Sequence, residues 1–265
     1  MRTFYYVHTG HRIGLDRFRR AAAIIKNLGD VDITLLCSDF RIAQVAHEYG
    51  VKKSVGVDVV RNIPQISNFD DKLIFDSQEA NPIMLQDMQE YFSTFLHVEN
   101  AEIAIDEEYF KKEEKTISLT YFFGDDDYEK DLEKHLDFIA DLNASLQLGF
   151  YYFLDYEDML KTKFKEHFEF EEYQNTIKKT QTLITASPQA ALESLASGGQ
   201  PIYIQREDYI EDYQELFNEL NIPIIVNYDK NKLLSVLETI NSHKYEKIDQ
   251  NSNKIIEIIK ETLNL

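Results

Sequence analysis

Cysteine is nearly absent from this 265-residue chain, and the single one, Cys37, excludes both an intramolecular disulfide framework and a Cys-based zinc site. It sits in the apolar run 33–37, where a buried core thiol is expected rather than a nucleophile. Long apolar runs are missing too: none approaches the roughly 20 residues needed to span a bilayer. The opening stretch MRTFYYVHTG goes straight into β-forming residues, without the apolar segment or small-residue cleavage site of a secretory signal. A cytoplasmic location is therefore expected. No metal-ligand spacing links the histidines, and neither a metal nor an organic cofactor is expected. Positive charge is scarce as well. The net charge is −19, with 10 Lys/Arg against 6 Asp/Glu in residues 1–61 and 18 against 41 in the rest. So acidic a chain repels nucleic acid, which excludes generic DNA or RNA binding. Internal repeats and low-complexity tracts are also lacking.

What is present is an alternation of strand and helix patterns, with 43% apolar residues, enough for packed cores. Residues 3–8 alternate β-formers. A helix over 15–28 follows, in which Leu15, Phe18, Ala22, Ile25 and Leu28 share one face and Arg17, Arg19 and Arg20 lie mostly on the others. Strands at 31–37, 54–57, 72–75 and 94–98 alternate with helices at 40–49 and 82–92, and 61–71 reads as a loop. The Glu/Lys-rich stretch 101–115 is the candidate boundary. The alternation then restarts: strand 116–123, helix 128–142, strand 146–154, and helices 156–164 and 169–179. A strand ending at 182–185 leads into a helix over 188–197 and a strand ending at Ile204. Helix 210–220, strand 222–226, helix 230–240 and a final amphipathic helix within 245–265 complete the chain. Strands alternating with such helices imply parallel βαβ units. The expectation is an α/β protein of two Rossmann-like domains facing a cleft, 1–110 and 111–265, with a C-terminal helix.

Chemistry-bearing residues gather where strands end. Gly10 lets a ligand approach the backbone after the first strand, and the imidazole of His11 beside it is the side-chain type suited to act as general base. His8 is either a partner to that base or a packed strand-end residue. The dinucleotide fingerprint G-x-G-x-x-G is absent. Asp76 and Ser77 end the strand 72–75 and point at the same expected cleft. Gly124 precedes Asp125, Asp126 and Asp127, which either cap the next helix or hold a divalent cation. Ser187 is an N-cap with Pro188 at the first helical position, and the helix start there offers backbone N–H groups to an anion. Glu193 is a lone carboxylate one turn beyond Gln189. It suits paired hydrogen bonds to a ribose diol, although an exposed glutamate favoured by helix propensity fits the pattern nearly as well.

Together these segments resemble the GT-B superfamily of nucleotide-sugar enzymes, in particular its MurG-type glycosyltransferases and the UDP-sugar hydrolase of pseudaminic acid biosynthesis. Thr9-Gly10-His11 is similar to the last Gly and the His of that hydrolase's Gly-x-Gly-His-x-x-Arg loop. Asp76-Ser77 and Phe123-Gly124-Asp125-Asp126 resemble the family's other strand ends. Ala186-Ser187-Pro188-Gln189 and Glu193 occupy the positions that bind the nucleotide diphosphate and ribose. The resemblance implies His11 and Asp76 as catalytic residues, and Gly10, Gly124, Ser187, Gln189 and Glu193 as nucleotide- or phosphate-binding. A UDP-sugar would be the substrate, with a sugar, a glycan or water as acceptor. There are departures. His8 replaces the first glycine of the loop, Gly14 stands where the hydrolase has Arg, and Pro188 removes one backbone donor. The Asn-Gln pair expected after Ile204 is absent. Two expectations thus stand side by side: a nucleotide-sugar enzyme, or a GT-B-shaped binding or assembly protein with a protein partner.

Overall fold

The computed structural model describes residues 1–98, 102–139, 141–152, 154–209, 212–250 and 254–264. Positions 101 and 210, where the acidic boundary segment and one helix were expected to begin, lie outside them. The chain forms two compact units, Met1–Asp106 with Asn251–Leu265, and Glu107–Gln250.

In the first unit, β1 (Thr3–Val7), β2 (Ile33–Cys37), β3 (Ser54–Gly56), β4 (Lys72–Asp76) and β5 (Thr94–His97) form one parallel sheet in the order β3-β2-β1-β4-β5. Helices cover both faces of such a sheet, so its central strands are apolar along their whole length. TFYYV and KLIFD are accordingly buried at every position. One face packs Phe4, Tyr6, Leu36, Leu73 and Phe75 against Val60, Ile63, Met88 and Phe92. Residues 61–71, expected as loop, contain a helical turn at Ile63–Ile66 that supplies this core with Ile63. Cys37 is buried, and burial pushes its thiol up to about 12, the inert state expected of it.

The second unit repeats the plan. β6 (Ile117–Phe122), β7 (Ser145–Gln147), β8 (His167–Phe168), β9 (Thr180–Thr185), β10 (Gln200–Gln205) and β11 (Ile224–Val226) are parallel, in the order β11-β10-β9-β6-β7-β8. The expected helix 128–142 is instead three short pieces, Asp127–Glu129, Asp131–Lys134 and Leu136–Ile139. The first break falls at Lys130, whose φ of 59° no helix accommodates.

The last helix, Lys254–Leu263, was expected in the domain 111–265. It belongs to the first unit, where it packs against β5 and buries Ile255, Ile256, Ile259 and Leu263. The buried Lys72 ammonium donates to the Leu263 carbonyl, so a cation meets the negative end of the helix. Among the described residues no helix is long and apolar enough to cross a membrane.

Each sheet has a point at which its strand order reverses, between β1 and β4 in the first and between β6 and β9 in the second. Loops leaving the two neighbouring strands there turn to opposite faces and open a crevice at the carboxyl ends, which is where open α/β sheets bind ligands. Register pairs Val7 with Asp76 and Phe122 with Thr185, so residues 8–14 face 77–81 and residues 123–127 face 186–189.

Candidate functional site

In the first crevice the loop after β1 is tied down by its own backbone. Ile13 and Gly14 N–H both reach the Gly10 carbonyl (3.0 and 2.9 Å), while Ser38 Oγ accepts from Thr9 N–H (2.7 Å) and donates to its carbonyl (2.8 Å). A methyl group at Gly10 would meet no atom within 4 Å, so space beside this glycine is open to a ligand. His11 stands exposed on the loop.

His8, at the end of β1, is paired with a carboxylate. Its Nδ1 lies 3.1 Å from Glu79 Oε2, and the same oxygen accepts from Tyr6 OH (2.9 Å) and Ser77 Oγ (3.2 Å). The Glu79 amide donates to Ser77 Oγ (3.1 Å), and His97 Nε2 lies 2.9 Å from the Ser77 carbonyl. A carboxylate at Nδ1 holds the proton there and leaves the lone pair on Nε2. Burial lowers the His8 pKa from its ordinary 6.5, Glu79 raises it and Arg17 lowers it, with burial prevailing. His8 is therefore neutral at pH 7 and able to accept a proton. Burial and Glu79 together push the Tyr6 hydroxyl far up, so it remains a donor.

Asp76, expected to point at the cleft as a catalytic residue, turns inward and is completely buried. Its Oδ2 accepts from Tyr5 OH (2.9 Å) and Arg20 Nε (3.1 Å), and its Oδ1 from Arg20 Nη2 (2.5 Å) and Arg17 Nη1 (3.5 Å). Arg17, Arg19 and Arg20, expected mostly on outward faces of the helix Asp16–Asn27, are buried with it. A buried charge needs a partner, and for Arg17 and Arg20 the carboxylate that satisfies this need is Asp76, below the crevice floor.

In the second crevice Gly124 has φ 139°, a conformation closed to side chains, and a methyl there would lie 2.8 Å from Asp126 Oδ1. A methyl on Gly149 would strike the Gly124 carbonyl at 2.3 Å and Asp125 Cα at 2.7 Å, so the loops after β6 and β7 touch through two glycines. The three aspartates do not converge on a cation. Asp125 Oδ1 accepts from Phe150 N–H (3.2 Å), and both Asp126 oxygens accept from Arg206 Nη1 (2.9 Å each). Asp127 caps a helix through Asp131 and Leu132 N–H (2.6 and 3.2 Å) and accepts from Tyr156 OH (2.8 Å).

Burial raises Asp127 to about 7, against the hydrogen bonds that favour its charge. The folded chain thus holds a proton that the unfolded chain, titrating at 3.8, has already released. The stability this proton contributes is fully present below pH 3.8 and is lost as pH rises through 7. Asp127→Asn is expected to flatten the fall of the urea midpoint across that window. Equal slopes in the two proteins would mean that Asp127 is ionised throughout.

The helix Pro188–Ala196 starts as the sequence implies, with Ser187 Oγ accepting from Ala190 N–H (3.0 Å) and Pro188 in the first turn. Ser187 N–H donates to Thr185 Oγ1 (3.0 Å), which closes the turn after β9. Glu193 differs from its expectation. It is buried, with Oε2 accepting from Tyr173 OH (2.7 Å) and Oε1 from Gln189 Nε2 (2.9 Å), so Gln189 and Glu193 brace the turn from within. The sequence shows their one-turn spacing but not Tyr173, which arrives from the preceding helix. Glu79 and Arg206 were also missed. Glu79 follows the Asp76-Ser77 strand end by two residues, and that position was its one available signal.

No family model matches the chain, and no curated protein matches it by sequence. Solved structures do. UDP-GlcNAc 2-epimerase of Methanocaldococcus jannaschii, in complex with UDP-GlcNAc and UDP, is similar at TM-score 0.62 and 11% identity over 98% of this chain and 100% of that one. A glycosyltransferase of Rickettsia africae gives 0.54 and 10% over 98% of each. E. coli heptosyltransferase WaaC with ADP gives 0.52 and 8% over 92% and 99%. At these identities the likeness is one of fold, and it spans both units: the architecture is GT-B-like, two parallel-sheet α/β domains with helices.

Proposed function

We propose that this chain is a nucleotide-sugar-utilising enzyme of GT-B type, with His8 as its base. The observation that carries the proposal is the His8–Glu79 pair at the carboxyl end of β1, where the strand order reverses. A neutral imidazole oriented by a carboxylate can take the proton from a water or acceptor hydroxyl as that oxygen bonds to the anomeric carbon. The bond from the anomeric carbon to the diphosphate oxygen breaks as the new one forms, and its electron pair leaves with the nucleotide. Within the second unit, the turn at Thr185, Ser187 and the helix start offers positive dipole to a diphosphate, and Gln189 and Glu193 hold that turn in shape. This differs from the sequence expectation on two counts: His8 replaces His11 as the preferred base, and Glu193 supports the nucleotide turn rather than meeting the ribose. The likeness to proteins solved with UDP-GlcNAc, UDP and ADP supports a nucleotide substrate.

The first test is a melting curve with nucleoside diphosphates and UDP-sugars. A ligand at a hundred times its Kd adds about 2.7 kcal/mol, and at about 2–4 °C per kcal/mol for units of this size the transition should rise by several degrees. No shift with any of them at millimolar concentration sinks the proposal. The engagement of Glu193 by Tyr173 and Gln189 favours a second reading, a GT-B-shaped binding protein without catalysis. That reading predicts the same shift with no release of nucleotide from any UDP-sugar.

A further inference from the structure

The sheet of the first unit is unevenly covered. A crossover between parallel strands ordinarily lays a helix of about three turns along the sheet. The connection from β3 to β4 has only the turns Val60–Asn62 and Ile63–Ile66, three and four residues long. Between them and the helix Pro82–Tyr91 lies a groove of about 230 Å³, floored by the core residues Val60, Ile63, Met88 and Phe92. Met84 and Tyr91 wall it on the helix side. That volume is below the roughly 300–1,000 Å³ of a small-molecule site and suits one or two large side chains.

Apolar surface continues outside the groove. Ile83 lies one turn before Asp87 on the helix face that lines it and is 71% exposed. The Phe69 ring, 68% exposed, meets Tyr91 edge-on at 6.1 Å. Val59 and Ile66 flank the two short turns, and both are exposed. Residues 59–83 thus hold four of the ten large apolar side chains exposed among the described residues, a patch rather than the scatter that needs no explanation. Charge decides what covers it. The segments 58–70 and 82–91 expose four carboxylates, Asp58, Asp70, Asp87 and Glu90, against one cation, Arg61. Arg2, which reaches the Ile66 carbonyl (3.0 Å), is neutralised by Asp71 (2.8 Å). Such a rim repels the anionic surface of a membrane. A second copy is disfavoured as well, because a symmetric contact sets the patch against itself and brings two rims of one sign together. A cationic amphipathic helix meets both demands: apolar residues at i, i+4 and i+7 enter the groove, and Lys or Arg beside them face the carboxylates.

We propose that this groove docks an amphipathic helix of a protein partner, apolar along one stripe and flanked by Lys or Arg, in the place a full crossover helix would occupy. The docking is independent of the nucleotide-sugar chemistry proposed above.

Fluorescence anisotropy of three labelled helical peptides, titrated with the full chain, tests this. One carries leucines at i, i+4 and i+7 with lysines beside them, the second the same leucines with glutamates, and the third the first peptide's residues with the leucine spacing scrambled. The first should bind at least about tenfold more tightly than either of the others. Ile83→Ser should weaken it by about tenfold, while Leu234→Ser, at an exposed apolar position of the second unit, should leave it unchanged. Asp87→Lys with Glu90→Lys should turn the preference toward the glutamate peptide, a gain that an unfolded variant could not show. Silence from all three peptides, equal binding of the first with either control, or an unchanged affinity in Ile83→Ser overturns the proposal. So does sedimentation of the chain with phosphatidylglycerol vesicles, or its dimerisation in solution, if Ile83→Ser abolishes either, since the face then belongs to lipid or to a second copy.

Discussion

Asp76→Ala is expected to be among the most destabilising substitutions in the chain, lowering stability by about 3–5 kcal/mol. The loss does not measure what the ion pairs contribute on balance. It arises because Arg17 and Arg20 lose their shared carboxylate while the surrounding helix and strands keep both guanidinium groups from water. Tyr5 OH loses its acceptor at the same time. Against a typical total of about 5–15 kcal/mol, a change of this size lowers the thermal midpoint by roughly 10 °C. The exposed pair Asp30–Lys52 provides the contrast: water solvates either partner once the other is gone, so Asp30→Ala should leave the transition in place. Replacing Asp76→Leu, Arg17→Leu and Arg20→Met together should recover part of the loss, because the two guanidinium groups leave with their carboxylate. Calorimetry on the three proteins decides the matter. A midpoint for Asp76→Ala within a degree of the parent would show that the arginines find water or another acceptor, and that Asp76 is not what holds them.

The same cluster shows what the sequence could and could not disclose. Helical spacing at Leu15, Phe18, Ala22 and Ile25 correctly gave a helix and its buried face. Placing Arg17 and Arg20 mostly on the other faces followed from the same spacing, and they are buried all the same because a partner more than fifty residues away reverses the cost of burying them. The parallel sheets were legible because a strand covered on both faces must be apolar throughout, as TFYYV and KLIFD are. β8 was not legible: two residues carry no pattern. The Ser187-Pro188 cap is a local device and was visible as one. The pairs that give the crevices their shape, His8 with Glu79 and Asp126 with Arg206, join residues about seventy to eighty positions apart, and no spacing rule connects them. The final helix illustrates the same limit. Its stripe of isoleucines shows that it must pack, but not that its surface lies on β5 of the first unit.

For catalysis the largest expected effect lies with His8. His8→Ala should lower UDP release from a UDP-sugar by about 10²–10⁴-fold, the usual contribution of a positioned general base. The pH profile separates this role from a structural one. His8 accepts a proton only when neutral, and burial sets its pKa below the ordinary 6.5, so wild-type turnover should climb through a limb below that value and stay level through neutrality. Glu79 is the neighbour that raises this pKa, by favouring the charged imidazole. In Glu79→Gln the acid limb should therefore move to lower pH while the plateau falls, because an amide orients Nδ1–H less firmly and no longer stabilises the imidazolium formed on proton transfer. If Glu79 only stiffened the loop, the plateau would drop and the limb would stay where it was. His11→Ala provides the opposing control, since His11 stands exposed on the same loop and should leave the limb untouched. Turnover that survives His8→Ala but collapses in His11→Ala would return the base to His11 and leave the Glu79 pair as scaffolding for the crevice.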